Sequence, residues 1–133
     1  MFGKKKKKTV QSDIPDDILE FLEEADKRYI RAFETRSIVP LKEYFTRQCM
    51  VKLSNMIANQ ASSRYFGSDK FRTTSWVVIQ KPDSIGVFKK VVEYESIKVH
   101  GSVGMKISAD YDEAWTVEIN DDDLFVSDIT IIT

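Results

Sequence analysis

Few side chains in this sequence are equipped for chemistry. There is one histidine, His100, and one cysteine, Cys49. A Ser-His-Asp or Cys-His arrangement would have to use His100, in the tight link His100-Gly101-Ser102, where a buried or turn-capping role is the plainer reading. A lone cysteine excludes an intrachain disulfide, and a Cys-based zinc site would need several more ligands. Cys49 falls in a helical stretch and reads as a small buried hydrophobe. Asp121-Asp122-Asp123 lacks the Asp-x-Asp-x-Asp-Gly order of a calcium loop and reads as a solvated turn. With no glycine-rich phosphate loop either, neither a metal nor a cofactor is expected. What remains is carboxylate chemistry. Glu113 stands on the apolar side of an alternating run, and burial between Trp115 and Met105 would favour its neutral form, as in general-base sites.

That run, Val103–Ile119, is the frame for Glu113. Its odd positions are Val103, Met105, Ile107, Ala109, Tyr111, Glu113, Trp115, Val117 and Ile119, and its even positions are mostly polar. The alternation predicts one long antiparallel strand with an oily face and a wet face. Three readings of Glu113 follow: a solvated position at the rim of the core, which we favour; a partner for a basic residue such as Arg72 or Lys90; or a base at the floor of a pocket.

Upstream, Ser12-Asp13-Ile14-Pro15-Asp16-Asp17 marks a helix start. Ile18, Phe21, Leu22, Ala25, Tyr29, Ala32 and Phe33 then form a helical stripe that should end near Arg36-Ser37. Pro40 opens a second, short helix through Leu41, Tyr44 and Phe45. A third follows, with Cys49, Met50, Leu53, Met56, Ile57 and Ala61 inward, and the two leave open whether they form one kinked rod. Strands are predicted over 71–81, 87–100 and 124–132, besides the long one. In the second, Phe88, Val92 and Tyr94 share one parity and Ile97 and Val99 the other, predicting a bulge near Glu95-Ser96. The fold class is therefore α+β: three N-terminal helices on a curved antiparallel sheet of about four long strands. Residues 1–13 read as a basic tail and 14–133 as a single domain.

This order, with Tyr29-Ile30-Arg31-Ala32-Phe33, Leu41-Lys42-Glu43-Tyr44-Phe45, Trp115-Thr116-Val117 and Leu124-Phe125-Val126-Ser127-Asp128-Ile129, resembles the nuclear-transport-factor-2-like superfamily of cone-shaped α+β domains. It is nearest in pattern to the membrane-anchor branch of the mitochondrial import motor. The fold hosts enzymes, carriers and scaffolds, so the resemblance implies two functions. The first is a non-catalytic binding or assembly module, a homodimer or a protein's partner through its sheet face, with a small apolar pocket at Tyr29, Tyr94, Met105 and Trp115. The alternative is a cofactor-free isomerase- or dehydratase-like enzyme, with Glu113, Tyr111 and Asp128 as its catalytic candidates.

Charge is unevenly spread. Lys4, Lys5, Lys6, Lys7 and Lys8 stand together near the start, residues 9–90 carry a net +2, and residues 91–133 hold two basic against ten acidic side chains. An acidic sheet repels phosphates, which argues against a nucleic-acid partner. The lysine run suits a peripheral contact with an anionic membrane. It is not followed by the apolar segment of a secretory signal, so a cytoplasmic location is expected.

Overall fold

The computed structural model describes residues 14–59 and 70–132. The Lys4–Lys8 run, the Ser12-Asp13 part of the expected helix start, and Ala61 lie outside the described residues.

Helix α1 spans Asp16–Thr35, opening after Pro15 with two acids in its first turn. It closes where Arg36 adopts a left-handed conformation (φ 54°) and donates its N–H to the Ala32 carbonyl. Helix α2 spans Arg47–Asn59. Its first turn is capped by Thr46, whose hydroxyl accepts the Cys49 N–H at 3.2 Å. Between them the expected second helix is reduced to a single 3₁₀ turn, Val39–Leu41. The reason lies just beyond it: Glu43 turns left-handed (φ 76°), and Phe45 forms a parallel bridge with Val126. There the Thr46 N–H meets the Val126 carbonyl at 2.9 Å, and the Val126 N–H meets the Tyr44 carbonyl at 2.8 Å. Backbone groups a helix would have used are spent on the sheet edge.

The sheet is an antiparallel meander in the order β1-β2-β3-β4, built from Lys70–Gln80, Ser84–Val99, Ser102–Asn120 and Asp123–Ile132. Two hairpins close with two-residue loops. His100 (φ 52°) and Gly101 (φ 81°) make one, Asp121 (φ 52°) and Asp122 (φ 71°) the other. Paired positive φ values suit the right-handed twist of the flanking strands. His100 is thus an exposed turn residue.

The bulge falls two residues before the predicted place and on the opposite strand. Glu93 faces Ala109 but Tyr94 faces Ile107, so Ser108 of β3 is the extra residue. One inserted residue reverses which face each parity occupies. Odd positions of β3 from Tyr111 to Val117 point inward and are buried, whereas Ile107, Met105 and Val103 lie opposite Tyr94, Ser96 and Lys98 on the outward face. The continuous stripe in the sequence is therefore two stripes on opposite sides of the sheet.

Both helices cover the inward face. Their Leu22, Tyr29, Phe33, Cys49, Leu53 and Ile57 pack with Trp76, Val87, Trp115, Val117, Val126 and Ile129 of the four strands. Tyr29, Trp76 and Trp115 meet edge-on, with the Tyr29 and Trp76 ring centres 5.7 and 5.4 Å from that of Trp115. Met50 and Met56 are only partly buried and flank this core.

Candidate functional site

At the centre of the inward face stand four charged side chains, and a fifth, the buried Glu93, lies in register with Arg72. Lys89 of β2 alternates with Val87 and Val91 and so points into the core, where it has no solvent exposure. Glu113 of β3 is in register with Lys89 and is equally inaccessible. Asp26 lies on the buried stripe of α1, one turn after Leu22 and three residues before Tyr29, and Arg72 enters from β1.

The Lys89 ammonium donates to Glu113 Oε1 at 3.0 Å and to Asp26 Oδ1. It also lies 4.9, 5.0 and 5.7 Å from the ring centres of Trp115, Tyr29 and Trp76, inside cation–π range. Arg72 donates to Asp26 Oδ2 at 3.0 Å. Burial works against the Arg72 charge, but the charge and hydrogen bond of Asp26, aided by the Tyr111 hydroxyl, outweigh it and hold the guanidinium more firmly protonated than usual. Glu113 accepts two further donors, the Trp115 indole N–H on Oε1 and the Tyr29 hydroxyl on Oε2, each at 3.0 Å. The Lys89 ammonium and both oxygens of Asp26 and of Glu113 are thus engaged, which favours survival of these charges in a buried cluster.

This overturns the rim position for Glu113. The residue is paired, as one reading proposed, but with Lys89 rather than Arg72 or Lys90. Arg72 serves Asp26 instead, and Lys90 reaches Asp110 at 3.0 Å on the outward face. The arrangement ties α1 to β1, β2 and β3 at one point. It offers no general base: Glu113 has no surface a substrate could touch, and both its oxygens already accept donors.

The other sequence-predicted residues scatter. Tyr29 and Trp115 do meet Glu113, and Tyr111 lies beside Arg72. Tyr94 is half-buried and Met105 is exposed, so the four pocket candidates do not share a cavity. Asp128 is half-buried, with its carboxylate in solvent, and accepts from Lys52 of α2 at 2.7 Å, which holds its carboxyl below the usual range. Cys49 is buried, and its thiol is pushed up to about 12, chiefly by burial. Asp122 and Asp123 line a surface cleft of about 460 Å³ with Phe21, Glu43, Tyr44, Leu124 and Phe125. No group of three metal-ligating side chains occurs among the described residues.

Sequence reasoning missed Asp26 and Lys89. The helical stripe carried the signal for Asp26, which follows Leu22 by four. Lys89 was hidden because both parities of β2 are apolar, and Phe88, Val92 and Tyr94 made the stronger-looking face. That face is the outward one, with Phe88 49 % exposed.

That face is populated. Val77 and Ile79 of β1, Phe88 of β2, and Ile107, Met105 and Val103 of β3 are all large, apolar and exposed. They form two groups separated by the Lys90–Asp110 ion pair.

Neither a protein-family model nor a curated protein matches the chain. Four chains of known structure do. One is the crystal structure of the intermembrane space region of the chloroplast protein ARC6, 12% identical, with a TM-score of 0.55 over 90% of this chain and 98% of that one. At that identity the likeness is one of fold, and the chain is similar to that region in its α+β architecture.

Proposed function

We propose that this chain is a non-catalytic binding or assembly module that works through the outward face of its sheet, in keeping with its resemblance to nuclear-transport-factor-2-like scaffolds. The observation that carries this reading is the contrast between the two faces. Inward, Lys89, Asp26 and Glu113 are buried and bonded to one another or to neighbouring side chains. Outward, seven large apolar side chains, those six and Ile132 opposite Asp112, remain in solvent on one side of the sheet, the usual mark of a protein contact surface. The enzyme alternative would need Glu113 exposed and released from Lys89. Light scattering over a concentration series tests the module: the mass should rise above that of the monomer and return to it in a Phe88→Ser/Ile107→Ser variant. Turnover of a small carbonyl compound that disappears in Glu113→Gln would overturn the reading.

A second contact belongs to the same reading. Five adjacent lysines suit peripheral attachment to an anionic bilayer, at roughly 1 kcal/mol per lysine. Among the described residues no helix is long and apolar enough to cross a membrane. Co-sedimentation with phosphatidylserine vesicles at low salt should be lost when Lys4–Lys8 are replaced by serine; no co-sedimentation of the intact chain would remove this contact.

A further inference from the structure

We propose that residues 102–108 of β3 pair with the same stretch of a second copy of this chain, antiparallel about a two-fold axis at Met105. This rests on the assembly reading and names both its occupant and its register.

Among the described residues the site is an open strand edge. Pairing of β3 with β4 stops at Asp112 opposite Ile132, and N-terminal to that point β3 pairs, among the described residues, with β2 alone. Every residue from His100 to Ser108 is exposed, Val103 by 69 %, Ile107 by 58 % and Met105 by 49 %. An edge of this kind presents a row of backbone donors and acceptors to any strand that fits it.

The apolar order is self-complementary. Antiparallel pairing about Met105 sets Val103 against Ile107 of the second copy, Met105 against its twin, and Ile107 against the other Val103. All of these lie on the outward face. Lys106 then faces Gly104 of the second copy and keeps its own partner Glu95 at 3.7 Å.

Neighbouring registers fail for identifiable reasons. An axis at Ile107 would drive the second copy's Ser102 onto Asp112, where Ile132 already pairs. An axis at Lys106 would set two ammonium groups against each other. An axis at Gly104 would leave Ile107 opposite the hairpin loop at Gly101. Only the Met105 axis fits between the loop and the end of β4 while matching all three apolar positions. A two-fold contact meets the apolar order Val103, Met105, Ile107 with the same order reversed, so one patch serves both copies. A seven-residue edge lies at the small end of interfaces, under about 1,200 Å², so the dimer should depend on concentration.

Cysteine cross-linking of the full chain reads the register directly. Opposed residues in an antiparallel pair have Cα atoms about 4.5–5.5 Å apart, within disulfide reach. Cys49 is buried with a thiol pushed up to about 12, which keeps it out of exchange. Under mild oxidation Met105→Cys should give a disulfide dimer, Val103→Cys and Ile107→Cys should each remain monomeric, and a mixture of those two should cross-link. Met105→Lys should raise the dimer dissociation constant roughly tenfold or more in sedimentation equilibrium, through like charges at the axis. A dimer by light scattering in which Met105→Cys reacts no faster than Val103→Cys would overturn this register while leaving the assembly reading intact. A strict monomer at high concentration would overturn the second copy as occupant, leaving the outward face to a different protein.

Discussion

The two halves of β3 share one sequence rule and reach opposite ends. Tyr111, Glu113, Trp115 and Val117 are sealed under the helices, while Val103, Met105 and Ile107 stand in solvent. Both halves alternate apolar and polar, and both are strand. What separates them is Ser108, which shifts the register by one, and the reach of α1, whose Tyr29 touches Glu113 and Trp115 of the inward half. Alternation specifies a pleat; burial depends on what lies against it.

The contrast can be broken most forcefully from inside. Replacing Lys89 by Met strands Glu113 and Asp26 without their common cation, and loss of one partner from a buried pair costs about 3–5 kcal/mol. Urea denaturation of Lys89→Met should show that loss. A Lys89→Met/Glu113→Gln double variant should lose less than the sum of its single changes, because the uncompensated charge on Glu113 is gone. Additive losses would mean that Lys89 and Glu113 do not act as a pair.

A smaller effect is expected at the hydroxyl. Tyr29→Phe keeps the ring against Lys89 and removes one donor to Glu113, a hydrogen bond to a charged group worth about 1.5–3 kcal/mol. A change under half a kcal/mol in the same assay would show that the Tyr29 hydroxyl adds little to the cluster.

Most of the helices and strands were legible in the sequence, since long amphipathic periods leave little choice. The short second helix was not, because Pro40 and the Leu41-Tyr44-Phe45 spacing are equally compatible with a 3₁₀ turn. The choice falls to a tertiary bridge from Phe45 to Val126. The ion cluster was half legible. Glu113 announced itself as an acid on an oily face, but its partner depended on which face of β2 turned inward. Phe88 and Val92 compete there with Val87 and Val91, and nothing local decides between them. Nor could alternation show that one inserted residue would send Met105 away from Trp115.

On the outside, single substitutions should hardly move the stability of the monomer. Ile107→Ser is expected to change it by no more than about 0.5 kcal/mol at concentrations too low for assembly, while suppressing the concentration-dependent rise in mass. A loss of several kcal/mol would place Ile107 in a core rather than on a contact face.

The smallest effect belongs to the exposed Lys52–Asp128 pair. The folded-state pKa of Asp128 is depressed, so its stabilisation is present above the ordinary carboxylate value near 3.9 and is lost as pH falls through the lower folded value. Asp128→Asn should therefore be slightly less stable than the parent at pH 7, with the difference vanishing in acid. Solvent at both partners keeps it small. A difference that grows as pH falls would reverse the assigned sign.

Amide hydrogen exchange along β3, measured in dilute and in concentrated solution, tests the central claim most directly. The account predicts strong protection of Tyr111–Val117 at both concentrations. Residues 102–108 should exchange more readily in dilute solution and gain protection as the chain is concentrated. Equal protection of both halves in dilute solution, or no gain in the 102–108 stretch at high concentration, would contradict the division of this strand into a sealed core and an assembly edge.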